Sequence, residues 1–134
     1  MMLPKIHALW DGDENRPEVA VSGKGRDLLC LGALLATIET AVTLPLEARV
    51  SKSYPVCLVR LTIEPSGDER RLEVAVVADT LRIGGGAKAL AALAQSLLNV
   101  FEDEVEDGSH FHLDYYEGNE LLEPTPCTLI FQSQ

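Results

Sequence analysis

Apolar and polar positions follow two different periods along this chain, and the changes of period mark out its elements. The run Lys5 to Trp10 alternates as a strand, and Asp11 to Asn15 supplies a polar turn. Glu18 to Val21 is a second short strand, closing at Ser22-Gly23. From Arg26 the period becomes helical, with Leu28, Leu31, Leu34, Leu35 and Ile38 on one face. Leu29, Cys30 and Ala33 widen that face, so the helix is expected to lie largely under a sheet. Gly32 within it costs about 1 kcal/mol relative to Ala, which a close helix contact can offset. Pro45 marks the helix as finished. Leu46 to Val50 then alternates as a half-buried strand and Val56 to Ile63 follows as another, connected by Ser51 to Pro55.

The same scheme returns in the rest of the chain. Pro65 to Glu69 is a turn cluster. Leu72 to Ala78 is apolar on both sides and reads as a central strand, with Asp79-Thr80 breaking or bulging it before Leu81 to Ile83. Gly84-Gly85-Gly86 leads into a second helix striped by Leu90, Leu93, Leu97, Leu98 and Phe101. A strand over His110 to Tyr116, a long loop from Glu117 to Pro126 and a closing strand over Cys127 to Gln132 complete it. Val19 to Gly23 is echoed at Leu81 to Gly85, an offset of 62 residues that also carries Leu28, Leu31 and Leu35 onto Leu90, Leu93 and Leu97. Pro55 to Val59 is echoed more loosely by Thr125 to Ile130. The expectation is one internally duplicated α+β domain spanning 1–134, with halves of about 1–65 and 66–134. Each half reads β-β-α-β-β, giving an antiparallel-dominated sheet with two helices packed on one face. The other face is then the place to bind something.

Charge narrows the class of partner. The 134 residues carry 11 Lys+Arg against 21 Asp+Glu, a formal net charge of −10. A field of that sign repels phosphate backbones, which argues against nucleic acid and anionic membrane and favours a basic partner or a cation. Cys30, Cys57 and Cys127 each sit in an apolar run and read as small core hydrophobes of a reducing compartment. Cys57 and Cys127 fall in corresponding places of the two halves. Lys5, His7 and Asp11 interrupt any secretory apolar segment, and the stretch from Leu28 to Ile38 is too short to span a bilayer. A cytoplasmic location is expected.

Candidate chemistry is sparse. Gly84-Gly85-Gly86 lacks the pattern of a phosphate loop, and Ser22-Gly23-Lys24-Gly25 stands in the same place in the first half, so both read as strand-to-helix turns. His110, His112 and Asp114 alternate and would project together from a strand as zinc ligands or as a recognition surface, with Phe111, Leu113 and Tyr115 turned inward. Glu102, Asp103, Glu104, Glu106 and Asp107 form an acidic run that lacks the spacing and the glycine of a calcium loop. Tyr116 and Glu117 add an aromatic and a further acid beside it. No nucleophile elbow or distinct carboxylate pair is present, so neither catalysis nor a bound cofactor or metal is expected. The candidate partner-binding set is Glu102, Asp103, Glu104, Glu106, Asp107, His110, His112, Tyr116 and Glu117.

From His110 to Phe131 the chain resembles the immunity protein 32 family of bacterial polymorphic toxin systems. Members of that family carry a Leu/Ala-rich helix, an acidic stretch, a segment close to G-H-x-H-x-E-Y, and a Leu-containing loop before a final apolar strand. Leu81 to Ala94 matches the start of the helix and Gly108 to Tyr116 matches the strand, while the likeness as a whole covers roughly Leu72 to Phe131. Asn119 stands where the family has a further His, and Asp114 where Glu is usual. The resemblance implies a non-enzymatic, cytoplasmic inhibitor, monomer or homodimer, that neutralises a toxin domain. A net charge of −10 suits a basic toxin. The alternative is an acidic secretion chaperone, type III-like, that dimerises and holds an effector segment. Such chaperones usually start with a helix, and this chain starts with strand-like residues.

Overall fold

The computed structural model describes residues 3–102 and 109–134. In chain order the elements are β1 (Ile6–Trp10), β2 (Glu18–Gly23), α1 (Gly25–Thr37), β3 (Val42–Pro45), β4 (Val56–Cys57), β5 (Arg60–Ser66), β6 (Glu73–Val77), β7 (Thr80–Gly86), α2 (Ala87–Phe101), β8 (His110–Leu113) and β9 (Thr128–Ser133). The class is α+β, as the periodicity implies. The strands, however, form two sheets rather than one, in the orders β4-β1-β2-β9-β8 and β3-β5-β7-β6. Each contains one parallel pair, β2 with β9 and β5 with β7, among antiparallel neighbours. The apolar alternation of a strand says which side is buried but not which strand lies beside it, so the split is invisible in sequence.

One chain segment joins the sheets. Val56-Cys57 pairs with β1, and three residues later Arg60 starts the pairing with β7. At the junction the Leu58 amide donates to Ala8 O (2.9 Å) and the Val59 amide to Asp79 O (2.8 Å). The strand expected as one run over Val56 to Ile63 is therefore two, bent where it changes sheets. Leu46 to Val50 is also no strand. The ladder with β5 uses Val42 to Pro45 instead, and the following segment crosses to the first sheet. There the Glu47 amide donates to Ile6 O and the Tyr54 hydroxyl to Glu18 Oε2, at 2.8 and 2.9 Å. Burial and the bond to Glu18 push the Tyr54 phenol up to about 12.

The strand over Leu72 to Ala78 is a further correction. β6 lies at a sheet edge, with Ala75 and Val77 exposed, and Ala78 turns the chain at φ 55° into β7. The helices pack on one another, α1 also touching β2 and β9 and α2 touching β5 and β7. A single apolar cluster fills the space between, built from Ile6, Val19, Leu28, Leu31 and Leu61 together with Leu81, Leu93, Phe101, Leu129 and Phe131 among others. Each fully buried side chain of this size contributes roughly 1.5–3 kcal/mol.

The register of the two parallel pairs is related by constant offsets. Glu18 faces Thr128 and Gly23 faces Ser133; Thr80 faces Arg60 and Gly85 faces Pro65. Adding 62 to β2 gives β7, and subtracting 68 from β9 gives β5. On this register Cys127 corresponds to Val59 and not to Cys57. Cys127 is buried, which pushes its thiol up to about 11, whereas Cys30 and Cys57 are half-buried.

Candidate functional site

Of the expected partner-binding residues, His110 and His112 fall on β8, at the edge of the five-stranded sheet, and Tyr116 and Glu117 follow it. β8 pairs antiparallel with β9, placing Phe111 opposite Phe131 and His112 opposite Ile130. Alternation then divides its side chains. Phe111 turns inward, its ring stacked on Phe131 (centroids 5.0 Å apart) and tilted against Phe101 (6.2 Å) at the end of α2. Leu113 is buried beside them. His110 and His112 point the other way and are exposed, their ring centroids 5.3 Å apart. Aromatic contacts of this kind, each worth roughly 0.5–1.5 kcal/mol beyond area burial, fix the strand against the core and thereby present the histidines outward.

After Leu113 the chain leaves the strand, earlier than the expected end at Tyr116, and folds into a turn. Tyr116 is 66% exposed and Glu117 is exposed. Gly118 takes a left-handed conformation (φ 89°), and the Asn119 amide donates to Tyr116 O at 3.0 Å. Asn119 is itself buried. Its Oδ1 accepts the amides of Leu121 (2.8 Å) and Leu122 (3.0 Å), and its Nδ2 donates to Asp114 O (3.1 Å). Arg71 fastens the same loop from the other sheet, with Nη1 on Asn119 O (2.9 Å) and its guanidinium bonded twice to Glu123 (3.2 and 3.0 Å). The Leu72 amide donates to Leu121 O and the Glu123 amide to Leu72 O, so the segment read as a long loop is pinned to the start of β6. Residues Asp114 to Glu120 thus form a held platform rather than a loose strap.

Of the expected set, His110, His112, Tyr116 and Glu117 share this end of the molecule. Glu102 is exposed at the C-terminal cap of α2, one residue past Phe101. Asp103, Glu104, Glu106 and Asp107 lie outside the described residues. Sequence reading missed Asn119 and Arg71 as the supports of the platform. Asn119 did carry a signal, as a polar residue between Gly118 and the apolar pair Leu121-Leu122, but the Arg71 bonds span 48 and 52 residues and leave no local trace. Among the described residues no three His, Cys, Asp or Glu side chains stand close enough to hold a metal ion.

Gly84 to Gly86 belong to the end of β7. The Gly86 amide donates to Arg70 O (2.9 Å), and a side chain at that position would collide with the Asp68 carbonyl. The glycines permit that close approach, so the start of α2 is occupied by its own chain.

The platform, β8, β9, α2 and β7 together make up one continuous stretch of sequence. Residues 80–134 match the family model described as immunity protein 32. The immunity protein 32 match covers about two-fifths of the chain and is the family that the sequence resembles. It includes every residue of the expected partner-binding set and leaves β1 to β6 outside. An immunity protein family implies a protein partner, in general a toxin, and suggests an immunity-like role. No curated protein and no solved structure matches the chain. None of the helices among the described residues is long and apolar enough to cross a membrane.

Proposed function

We propose that this chain binds and neutralises a cognate bacterial toxin domain in the cytoplasm, catalysing no reaction itself. The observation that carries the reading is that the immunity protein 32 match encloses the exposed surface of β8 and its platform. His110, His112, Tyr116 and Glu117 would form the contact, with Glu102 and the acids Asp103, Glu104, Glu106 and Asp107 as further contact residues. Tyr116 presents a rigid amphipathic ring, the kind of side chain that anchors interfaces, and the pinned turn beneath it keeps the ordering cost of docking low. An overall charge of −10 favours a basic toxin by steering its approach. We read the chain as one duplicated domain, because a single pair of offsets relates both parallel ladders.

Co-purification of the tagged chain from its own host tests the reading. A folded, basic domain that is lethal when expressed alone and harmless when co-expressed with this chain is the expected catch. Reversing the acids over Glu102 to Asp107 should slow its association at low salt by about tenfold or more. Association at the wild-type rate would remove the acidic run from the interface, and Tyr116→Ala then tests the platform separately. Growth inhibition by the captured domain that co-expression fails to relieve would overturn the immunity reading itself.

A further inference from the structure

A second feature lies at the N-terminus of α1. Lys5, Lys24, Arg26 and Arg49 line one pocket of about 450 Å³. In a chain with nearly twice as many acids as bases, four cations converging without carboxylate partners is unexpected. Of the seven other cations, Arg60, Arg70, Arg71, Arg82 and Lys88 each make an ion pair, at 2.7 to 3.3 Å, and only Arg16 and Lys52 make none among the described residues. None of the four pocket cations makes one among the described residues. Asp27 and Glu47 also line the pocket, and they do not neutralise it. Asp27 Oδ1 accepts the Lys5 amide at 3.0 Å. Arg49 Nη1 donates to the uncharged Gln134 Oε1 at 2.6 Å.

Two further groups turn the cluster into a site. His7 forms part of the pocket wall, is 4% exposed, and its Nε2 is buried without a hydrogen-bond partner. The first turn of α1 has no side-chain cap; the Asp27 amide returns to Lys24 O (2.9 Å), and those of Gly25 and Arg26 add a positive end to the same pocket. The corresponding start of α2, 62 residues on, is closed by the Asp68–Arg70 segment packed on Gly86, and Lys88 there is paired with Glu69. At α1 the position of Gly86 is taken by Lys24, whose side chain is exposed, and Arg26 stands where Lys88 is paired. One of two like-built helix starts is filled by its own chain. The other is left open and cationic.

We propose that this pocket binds a phosphate-type oxyanion, held by Lys24, Arg26 and Arg49 together with the first-turn amides of α1, with His7 Nε2 as a further hydrogen-bond group. Helix N-termini with convergent basic side chains bind phosphate by charge-assisted hydrogen bonds. The volume accepts inorganic phosphate or a small phosphate monoester. The pocket lies at the ends of β1, β2 and β9 and shares no lining residue with the proposed contact surface on β8.

The test is a titration of the full chain at low ionic strength with inorganic phosphate and, separately, with glycerol 3-phosphate. The His7 ring and the α1 amides are followed by nuclear magnetic resonance, with chloride at matched ionic strength as control. Saturable shifts confined to these groups, with dissociation constants of roughly millimolar or tighter, are expected. Lys24→Glu and Arg49→Gln, both at exposed positions, should each weaken binding by about tenfold. Preference for the monoester assigns the site to small phosphorylated molecules, and preference for the inorganic ion assigns it to free phosphate. Shifts that do not saturate, that chloride reproduces, or that both variants leave unchanged would overturn the proposal.

Discussion

Asn119 and His7 are both buried polar side chains, and their hydrogen-bonding accounts are opposite. Asn119 has both amide atoms engaged and organises four backbone groups of the platform, counting its own amide on Tyr116. Asn119→Ala would strand the amides of Leu121 and Leu122, the latter in a buried setting. The expected loss is about 1–3 kcal/mol of stability, read from the midpoint of urea unfolding. Binding of a toxin should weaken as well, since the platform would lose its fixed shape. His7 instead has an unpartnered Nε2, and burial, assisted by the nearby Arg49 charge, holds its pKa below the usual 6.5 against the opposing pull of Glu47. The unfolded chain then binds this proton more readily than the folded one. The stability contributed by neutral, buried His7 is complete above pH 6.5 and shrinks as pH falls through 6.5 towards the folded pKa. Unfolding titrations between roughly pH 7.5 and pH 5 should show that decline, and His7→Phe should flatten it. An unchanged slope in the variant would assign the decline to other groups.

At the scale of elements, the helices were more legible than the strands. A 3.6-residue stripe of leucines names its own buried face, and Leu28, Leu31 and Leu35 in α1 and Leu90, Leu93 and Leu97 in α2 are buried as that stripe requires. Leu98, read on the same stripe, is instead exposed beside the helix–helix groove, and Leu34 and Ile38 are half-buried. Strand alternation was equally honest about His110 and His112 outside and Phe111 and Leu113 inside. It failed where the answer depended on neighbours: at Leu46 to Val50, which crosses between sheets without joining a ladder, and at β6, whose apolar run lies at an edge. The helix crossing shows what sequence could only pose as a question. Gly32 costs helix propensity, and the return is close approach to α2, where an added Cβ would sit 3.4 Å from Leu97 Cβ and 3.5 Å from Ala94 O. Leu29, Gly32, Ala33 and Ala36 meet Ala91, Ala94, Gln95 and Leu98 around one groove, each residue facing the counterpart set 62 positions on. Gly32→Ala should change stability by less than about 1 kcal/mol, the gain in propensity offsetting the tighter contact. Gly32→Leu must push the helices apart and should lose about 1–3 kcal/mol. Thermal unfolding of both variants separates the two effects, and an equal loss in both would mean that the contact tolerates no side chain at all.

For the whole molecule, the decisive fact is that neither half completes its own sheet. The hairpin β1-β2 of the first half takes β9 of the second as its parallel neighbour, and β7 of the second half takes β5 of the first. Leu61 and Ile63 therefore sit beside Leu81 and Ile83, and Val19 and Val21 beside Leu129 and Phe131, in one apolar cluster. A duplicated pattern in sequence invites the picture of two small domains side by side, whereas the exchanged strands interlock the two halves. Cutting the chain after Ser66, in the turn between β5 and β6, tests the difference. Each fragment would keep its helix and hairpins but expose a parallel strand edge and half of the core, leaving too little buried surface to offset chain entropy. Circular dichroism should show each fragment alone largely unfolded, and mixing or co-expressing the two should restore the folded signal as a complex. The same reasoning bears on function. The segment matching immunity protein 32, residues 80–134, owns the β8 surface but borrows β2 and β5 to hold β9 and β7 in place. Expressed by itself it should neither fold nor protect a cell from the toxin, while the fragment pair should protect. Independent folding of either half would overturn the interlocked picture and make the β8 surface a property of the second half alone.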